Sequence, residues 1–243
     1  MNKTKWVKNP DGSQGYTINP VKGKCPMGCS YCYARRMYDR FKWNPEIKLQ
    51  SRWWSELDFI KPSRIFVGST MELFGDWIPE DWLTKILYTC KEFNQHTYIF
   101  LTKCPQNLIK WSPFPENCWV GISVTNSHQY QTALQYSRCY DARIKFISFE
   151  PLLQHITITS PFEFGYLNWL IIGQQTPASK KTEPKIEWVR EIVEAADRAR
   201  IPVFLKDNLR PLLIPEDCSK PNYLMEDIFW ASEKAKLRQE FPK

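Results

Sequence analysis

Short apolar runs alternate with longer amphipathic segments along this 243-residue chain, and that alternation constrains its fold more than any other feature. The runs predict strands at Tyr16–Asn19, Arg64–Val67, Thr97–Leu101, Trp119–Val124, Ile144–Phe149, Trp169–Ile172 and Pro202–Leu205. Helical patterns at Ser30–Phe41, Glu80–Phe93, His128–Tyr136 and Ile186–Arg198 fill several of the gaps. In the last of these, Trp188, Val189, Ile192, Val193 and Ala196 share one apolar face. The run Trp169-Leu170-Ile171-Ile172 has no polar alternation, as a parallel strand covered on both faces requires. The expectation is an α/β fold of parallel βα units, closed into a full or partial TIM-like (β/α) barrel. An open doubly wound sheet is the alternative. No Gly-x-Gly-x-x-Gly follows a predicted strand, which removes the dinucleotide fingerprint of that class. Polar residues also follow nearly every strand: Ser69-Thr70-Met71-Glu72, Thr102-Lys103, Thr125-Asn126, Glu150, Gln174-Gln175 and Lys206-Asp207-Asn208. A barrel builds its active site at those strand ends.

Hydrophobic residues make up 43% of the chain and aromatics 15%, enough for a sizeable core and too much for disorder. Residues 1–208 are expected to form the barrel. Residues 209–243 are expected to be an extension packed on it, with a last helix around 228–241. No run approaches the ~20 apolar residues of a membrane span. The first residues lack the apolar stretch of a secretory signal, so a reducing cytoplasm is the expected compartment.

Three of the eight cysteines crowd one short stretch, Cys25, Cys29 and Cys32, with Tyr31 just before the last. Three thiolates on one loop can converge on one metal centre. Structural zinc and ferredoxin-type clusters use four protein ligands, so three leave a coordination position open. Two other readings stand: a zinc knuckle borrowing His96, His128, His155 or another Cys, and a redox pair Cys29-x-x-Cys32. Gly28 supplies conformational freedom to a wrapping loop, and Pro26 restricts it. The remaining cysteines are scattered singly and read as small buried hydrophobes, with Cys104 set apart by its place at a strand end.

The net charge of +7 is unevenly spread. Lys3, Lys5, Lys8, Lys22 and Lys24 precede the cysteine loop, and Arg35, Arg36, Arg40, Lys42 and Arg52 follow it. A basic rim around a reactive centre favours a polyanionic partner. Trp6, Tyr38, Trp43, Trp53, Trp54 and Trp77 interleave with these charges, a pattern suited to stacking on unpaired bases at ~1–3 kcal/mol each.

The Cys-x3-Cys-x2-Cys spacing with its aromatic resembles the signature of radical S-adenosylmethionine (radical SAM) enzymes. The resemblance implies a barrel of the radical SAM type with the cysteines in the loop after its first strand. It implies a 4Fe–4S cluster on Cys25, Cys29 and Cys32 whose remaining iron chelates SAM. One electron from the reduced cluster then cleaves SAM to methionine and a 5′-deoxyadenosyl radical. Tyr31 would pack beside the adenine. Gly68-Ser69-Thr70-Met71-Glu72 occupies the place of a Gly-Gly-Glu-like SAM-binding segment, although only Gly68 and Glu72 match it in kind. Thr125 and Asn126 are candidates for the ribose hydroxyls, with helix capping as the competing role.

Glu150, Lys103 and Cys104 are the candidate catalytic residues. A carboxylate between Phe149 and Pro151 must be paired or functional, since burying it alone is costly, and Lys103 or Lys206 are its potential partners. Lys206-Asp207-Asn208 and Lys103 are candidate contacts to an anionic substrate. Cys104 is a candidate hydrogen donor to a substrate radical, or a packing cysteine.

Over nearly the whole chain, segments such as Phe146-Ile147-Ser148-Phe149-Glu150-Pro151 are similar to a phage- and mobile-element-associated radical SAM group. That group neighbours three-Cys-motif partner proteins and is itself similar to spore photoproduct lyase. Gln175 stands here where the group tends to carry a carboxylate. The implied function is repair or modification of a base in DNA or RNA, with an external electron donor. The same chemistry on a peptide or small metabolite is the alternative, and a non-catalytic, metal-containing nucleic-acid-binding module is a third reading.

Overall fold

The computed structural model describes residues 2–213, 229–230 and 237–242. In chain order the elements are β1 (Asn2–Lys8), β2 (Gln14–Ile18), β3 (Val21–Lys22), α1 (Tyr33–Phe41), β4 (Lys48–Leu49), β5 (Arg64–Val67), α2 (Glu80–Glu92), β6 (Thr97–Thr102) and β7 (Cys118–Val124). There follow α3 (Ser127–Ser137), β8 (Ile144–Phe149), β9 (Trp169–Ile172), α4 (Ile186–Ala199), β10 (Val203–Leu205) and α5 (Arg210–Leu213).

Eight strands join in the order β1-β2-β5-β6-β7-β8-β9-β10. The pairs β2–β5, β5–β6, β8–β9 and β9–β10 are parallel, and β1 lies antiparallel on β2. From β2 onward the spatial order follows the chain order, which is the sequence of βα units expected. β1 and β10 stand at the two ends of that order, so of the two forms expected the sheet is the partial one. Among the described residues no helix is long and apolar enough to cross a membrane.

The chain divides into two compact units, Met1–Gly121 with Cys139–Arg143, and Ile122–Arg138 with Ile144–Lys243. In the first, Ile18, Ile65, Val67, Ile99 and Phe100 are buried along the strands, and α2 lays Leu83, Ile86 and Cys90 into the interior. Each such side chain contributes about 1.5–3 kcal/mol when fully buried. α2 also carries Glu80 and Asp81 in its first turn and Lys91 in its last, matching the helix dipole. β3 and β4 make a separate two-stranded ribbon that frames the cysteine loop.

In the second unit β8, β9 and β10 bury Phe146, Phe149, Trp169 and Phe204. α4 covers the sheet with the apolar face read from its periodicity: Val189, Ile192, Val193 and Ala196 are buried. Most of the helix expected at 228–241 lies outside the described residues. Its described end, Leu237–Glu240, runs extended instead. There Leu205 N–H donates to the Arg238 carbonyl at 2.8 Å and Glu240 N–H to the Val203 carbonyl at 3.0 Å. The Phe241 ring then lies 5.2 Å from Trp169 and 5.3 Å from Phe204.

Candidate functional site

In the first unit the carboxyl ends of β2, β5 and β6 bring most of the expected residues together. Gly68 follows β5 with φ +80°, and its N–H donates to the Ile18 carbonyl. A side chain there would stand 2.7 Å from Leu73, so the turn needs glycine. The turn carries Ser69 and Thr70 to Asn19 at the end of β2. Asn19 Oδ1 accepts from the Ser69 hydroxyl, the Thr70 N–H and the Thr70 hydroxyl, each at 3.2 Å. The Thr70 N–H can only donate, so this face of the carboxamide is its oxygen. Sequence reasoning did not single out Asn19. Its signal was there, a polar residue closing a predicted strand.

Glu72 lies further along the same segment and is buried. One oxygen accepts from the Thr102 hydroxyl at 2.7 Å and the Phe74 N–H at 3.1 Å, and the other from the Lys103 N–H at 2.6 Å. Burial pushes this carboxyl up, and the donors from Thr102 and Lys103 oppose it. Just past β6, Cys104 is buried with its sulfur 4.0 Å from the Met27 sulfur of the cysteine loop. Burial, then the charges of Glu72, Asp76 and Cys25, push its thiol up to about 12. It therefore keeps its hydrogen at neutral pH.

The cysteine loop is pinned at both ends. Gly23 N–H donates to the Tyr38 hydroxyl at 2.8 Å, and Cys32 caps α1, its sulfur accepting from the Arg35 N–H at 3.4 Å. Tyr33 donates its hydroxyl to the Ser69 carbonyl at 3.2 Å, so the first turn of α1 touches the segment after β5. Gly28 has φ +69°, the conformation expected of it. Tyr31 is half-buried, and its carbonyl accepts from the Arg36 guanidinium.

Cys25, Cys29 and Cys32 are free and half-buried. As placed, no three His, Cys, Asp or Glu side chains among the described residues group closely enough to hold a metal ion. The donor set still suits an iron–sulfur cluster. Three thiols share one short loop, and backbone N–H groups of Glu72 and Met27 point at the Cys25 sulfur. N–H donors to cysteine sulfur are what hold and tune such clusters. Burial is the larger influence on Cys25 and pushes its thiol up.

The second unit holds the other candidates. Thr125 is buried, and both its N–H and its hydroxyl donate to Gln129 Oε1, at 2.8 and 2.9 Å. Asn126 caps α3, accepting from the Gln129 N–H at 2.9 Å. Asn126 therefore does the capping work that competed with ribose binding, while Thr125 is tied to the Gln129 side chain. Glu150 and Lys206 form an ion pair across Gly173, with side chains 24% and 18% exposed, so Lys206 is not the open cation of a basic face. Gln174 and Asn208 hydrogen-bond each other, with Asn208 Nδ2 donating to the Gln174 carbonyl at 2.7 Å.

Residues 5–209 match the model of the family described as "Protein of unknown function (DUF5131)". The sequence matches no curated protein. Among solved structures, a spore photoproduct lyase complexed with dinucleoside spore photoproduct is similar with a TM-score of 0.48 at 13% identity. A mutant of that enzyme with bound AdoMet and dinucleoside spore photoproduct gives 0.47 at 12%. Each alignment covers 80% of this chain and 64% of the solved one, so the chain spans less than two thirds of their length.

Proposed function

This chain belongs to the DUF5131 family, and from its cysteine loop we propose that it is a radical SAM enzyme of the phage-associated group, acting on a base in DNA or RNA. The observation that carries the reading is the loop: three free, half-buried thiols between the first parallel strand and α1, with backbone N–H groups aimed at two of their sulfurs.

Cys25, Cys29 and Cys32 would hold a 4Fe–4S cluster and leave one iron for SAM. The chemistry such a cluster would supply is one electron, taken from the external donor, that breaks the S–C5′ bond of SAM into methionine and a 5′-deoxyadenosyl radical. Tyr31 and the Gly68–Thr70 turn, braced by Asn19, would line the SAM side of the loop. Glu72 has its oxygens engaged by Thr102, Phe74 and Lys103, so its part is to fix this segment rather than to contact SAM. Cys104 keeps its S–H and would return a hydrogen atom to a substrate radical, becoming a thiyl radical that the external electron donor reduces again. Lys103 and Glu150 are the remaining polar candidates at strand ends. Thr125 and Asn126 would meet ribose hydroxyls only through donors and acceptors that their bonds to Gln129 leave over. An external electron donor, a three-Cys-motif partner protein and a reducing cytoplasm complete the reading. A nucleic-acid substrate is supported by the basic and aromatic residues on either side of the loop.

The test is anaerobic reconstitution with iron and sulfide, then incubation with SAM, dithionite and pooled nucleic acids. Mass spectrometry of 5′-deoxyadenosine and of nucleosides reads the outcome. A brown protein that cleaves SAM and alters a nucleoside is expected. A colourless zinc protein sinks the reading, and SAM cleavage with unaltered nucleosides moves the substrate to a peptide or metabolite.

A further inference from the structure

α1 ends in a solvent-facing aromatic pair that its own fold does not need. Phe41 is the last helical residue and is 52% exposed, and Trp43 is 44% exposed. Their rings are stacked, 5.6 Å between centroids and 21° from parallel. Tyr38 braces Trp43 edge-on at 5.4 Å, and the Tyr38 hydroxyl is in turn held by Gly23 at the root of the cysteine loop. The Arg40 guanidinium lies 5.2 Å over the Phe41 ring.

The residue between the two rings is the second observation. Lys42 sits in the left-handed conformation at φ 53°, the helix-terminating position that glycine fills at least cost. A lysine there costs some stability, as Arg200 does at the end of α4, and it sets a cation between the two rings. Arg52 has the same conformation, φ 56°, beside Trp53 and the exposed Trp54. The acids of this stretch are already engaged, Asp39 by Lys24 and Glu46 by Lys48. The charge left facing outward around the rings is therefore positive.

We propose that Phe41 and Trp43, flanked by Arg40 and Lys42, form a stacking platform for unpaired bases of a single-stranded polynucleotide. This rests on the nucleic-acid reading above and narrows it. The exposed part of the pair offers an unpaired base an aromatic partner, and Arg40 and Lys42 carry positive charge for the phosphates on either side. A duplex keeps its bases stacked on each other and offers the rings nothing. The occupant is therefore a single strand.

The test titrates a fluorescein-labelled single-stranded oligodeoxythymidylate, and a duplex of equal length, with the reconstituted full chain at several salt concentrations. The single strand should bind tighter than the duplex and quench Trp43. Phe41→Ala and Trp43→Ala should each weaken the single strand about tenfold with the salt slope unchanged. Lys42→Gly should reduce the salt slope by about one and weaken binding, while raising the melting temperature by about 2 °C because strain is relieved. Arg200→Gly, which removes the left-handed residue ending α4, should raise stability alike and leave binding unchanged. Wild-type affinity retained in folded Phe41→Ala and Trp43→Ala overturns the platform and makes a protein partner its occupant. Preference for the duplex overturns it too. SAM cleavage measured on the same preparations separates that failure from failure of the radical SAM reading.

Discussion

The Thr102 hydroxyl donates to the buried Glu72 carboxylate at 2.7 Å, fastening the end of β6 to the segment after β5. The same carboxylate takes the N–H groups of Lys103 and Phe74, and the Glu72 N–H points at the Cys25 sulfur. Glu72 thus ties two strand ends through its carboxylate and faces the cysteine loop through its backbone. Glu72→Gln keeps its shape but turns an NH2 toward at least one donor. An unmet buried donor costs about 1–3 kcal/mol, so the variant should melt lower, by roughly 2–12 °C. Thr102→Val removes one donor of three and also strands the Cys104 N–H that its hydroxyl accepts at 2.9 Å, so it should cost about 1–3 kcal/mol. Reconstituted Glu72→Gln should also hold less iron. Wild-type melting and iron content would show the network to be incidental.

The cysteines divide into two sets. Cys25→Ala, Cys29→Ala or Cys32→Ala should abolish the iron–sulfur absorption and SAM cleavage together. Cys139→Ala is exposed and apart from the loop, and it should leave both intact. Cys90→Ala empties a fully buried site beside Cys118 and should lower stability by about 1–2 kcal/mol without loss of iron. A Cys29→Ala protein that still cleaves SAM removes the basis of the proposal.

Most of the sheet was legible in the sequence because buried parallel strands are unbroken apolar runs. Arg64–Val67, Ile144–Phe149 and Trp169–Ile172 coincide with the strands read from them. β1 escaped because Asn2–Lys8 reads Asn-Lys-Thr-Lys-Trp-Val-Lys, with no apolar run. As the antiparallel edge strand it is where lysine belongs, since charge keeps an edge from pairing with other chains. β3 and β4 have two residues each, too few to show a period. The candidate site was legible as a set of strand ends and not as bonds. Lys206 read both as a cation for substrate and, with Lys103, as a potential partner of Glu150; the pair forms with Lys206, a choice no local pattern makes across 56 positions. Trp77 was grouped with the stacking aromatics, but its ring lies against Gly75, where a Cβ would come within 2.3 Å of it.

His96 gives a pH signature. Its ring is buried, Nδ1 accepts from the Ser63 N–H at 3.2 Å, and Nε2 faces the Leu57 carbonyl at 3.0 Å. An N–H on one side and a carbonyl on the other fix the neutral tautomer with its proton on Nε2. Burial holds the pKa below its ordinary 6.5, so the unfolded chain binds the proton more readily than the folded one. The stability this supplies is full above about 6.5 and is lost as pH falls through the folded value. Urea unfolding from pH 7.5 to 5 should show wild-type stability falling, with a shallower fall in His96→Gln. At pH 7.5 that variant should be weaker by about 1–2 kcal/mol, having lost a hydrogen bond. Parallel curves would mean that other groups set the acid dependence.

Glu150 and Lys206 stand at the ends of β8 and β10, and Gly173 ends β9 between them. The register Phe149↔Ile172↔Leu205 sets all three residues in one row across the strands. A methyl on Gly173 would lie 3.0 Å from Lys206 Cδ and 3.2 Å from Glu150 Cδ, so Gly173→Ala must push at least one partner aside. The lysine stem is flexible, and the cost in stability should be only about 1 kcal/mol. The pair itself is mostly screened from water, where removing one partner strands the other charge. Glu150→Gln and Lys206→Met should each destabilise by about 1–3 kcal/mol, and the double variant by clearly less than the two together. Urea unfolding of the four proteins measures that coupling. Strict additivity would mean that the two charges are solvated independently, leaving Lys206 free to meet an anionic substrate after all.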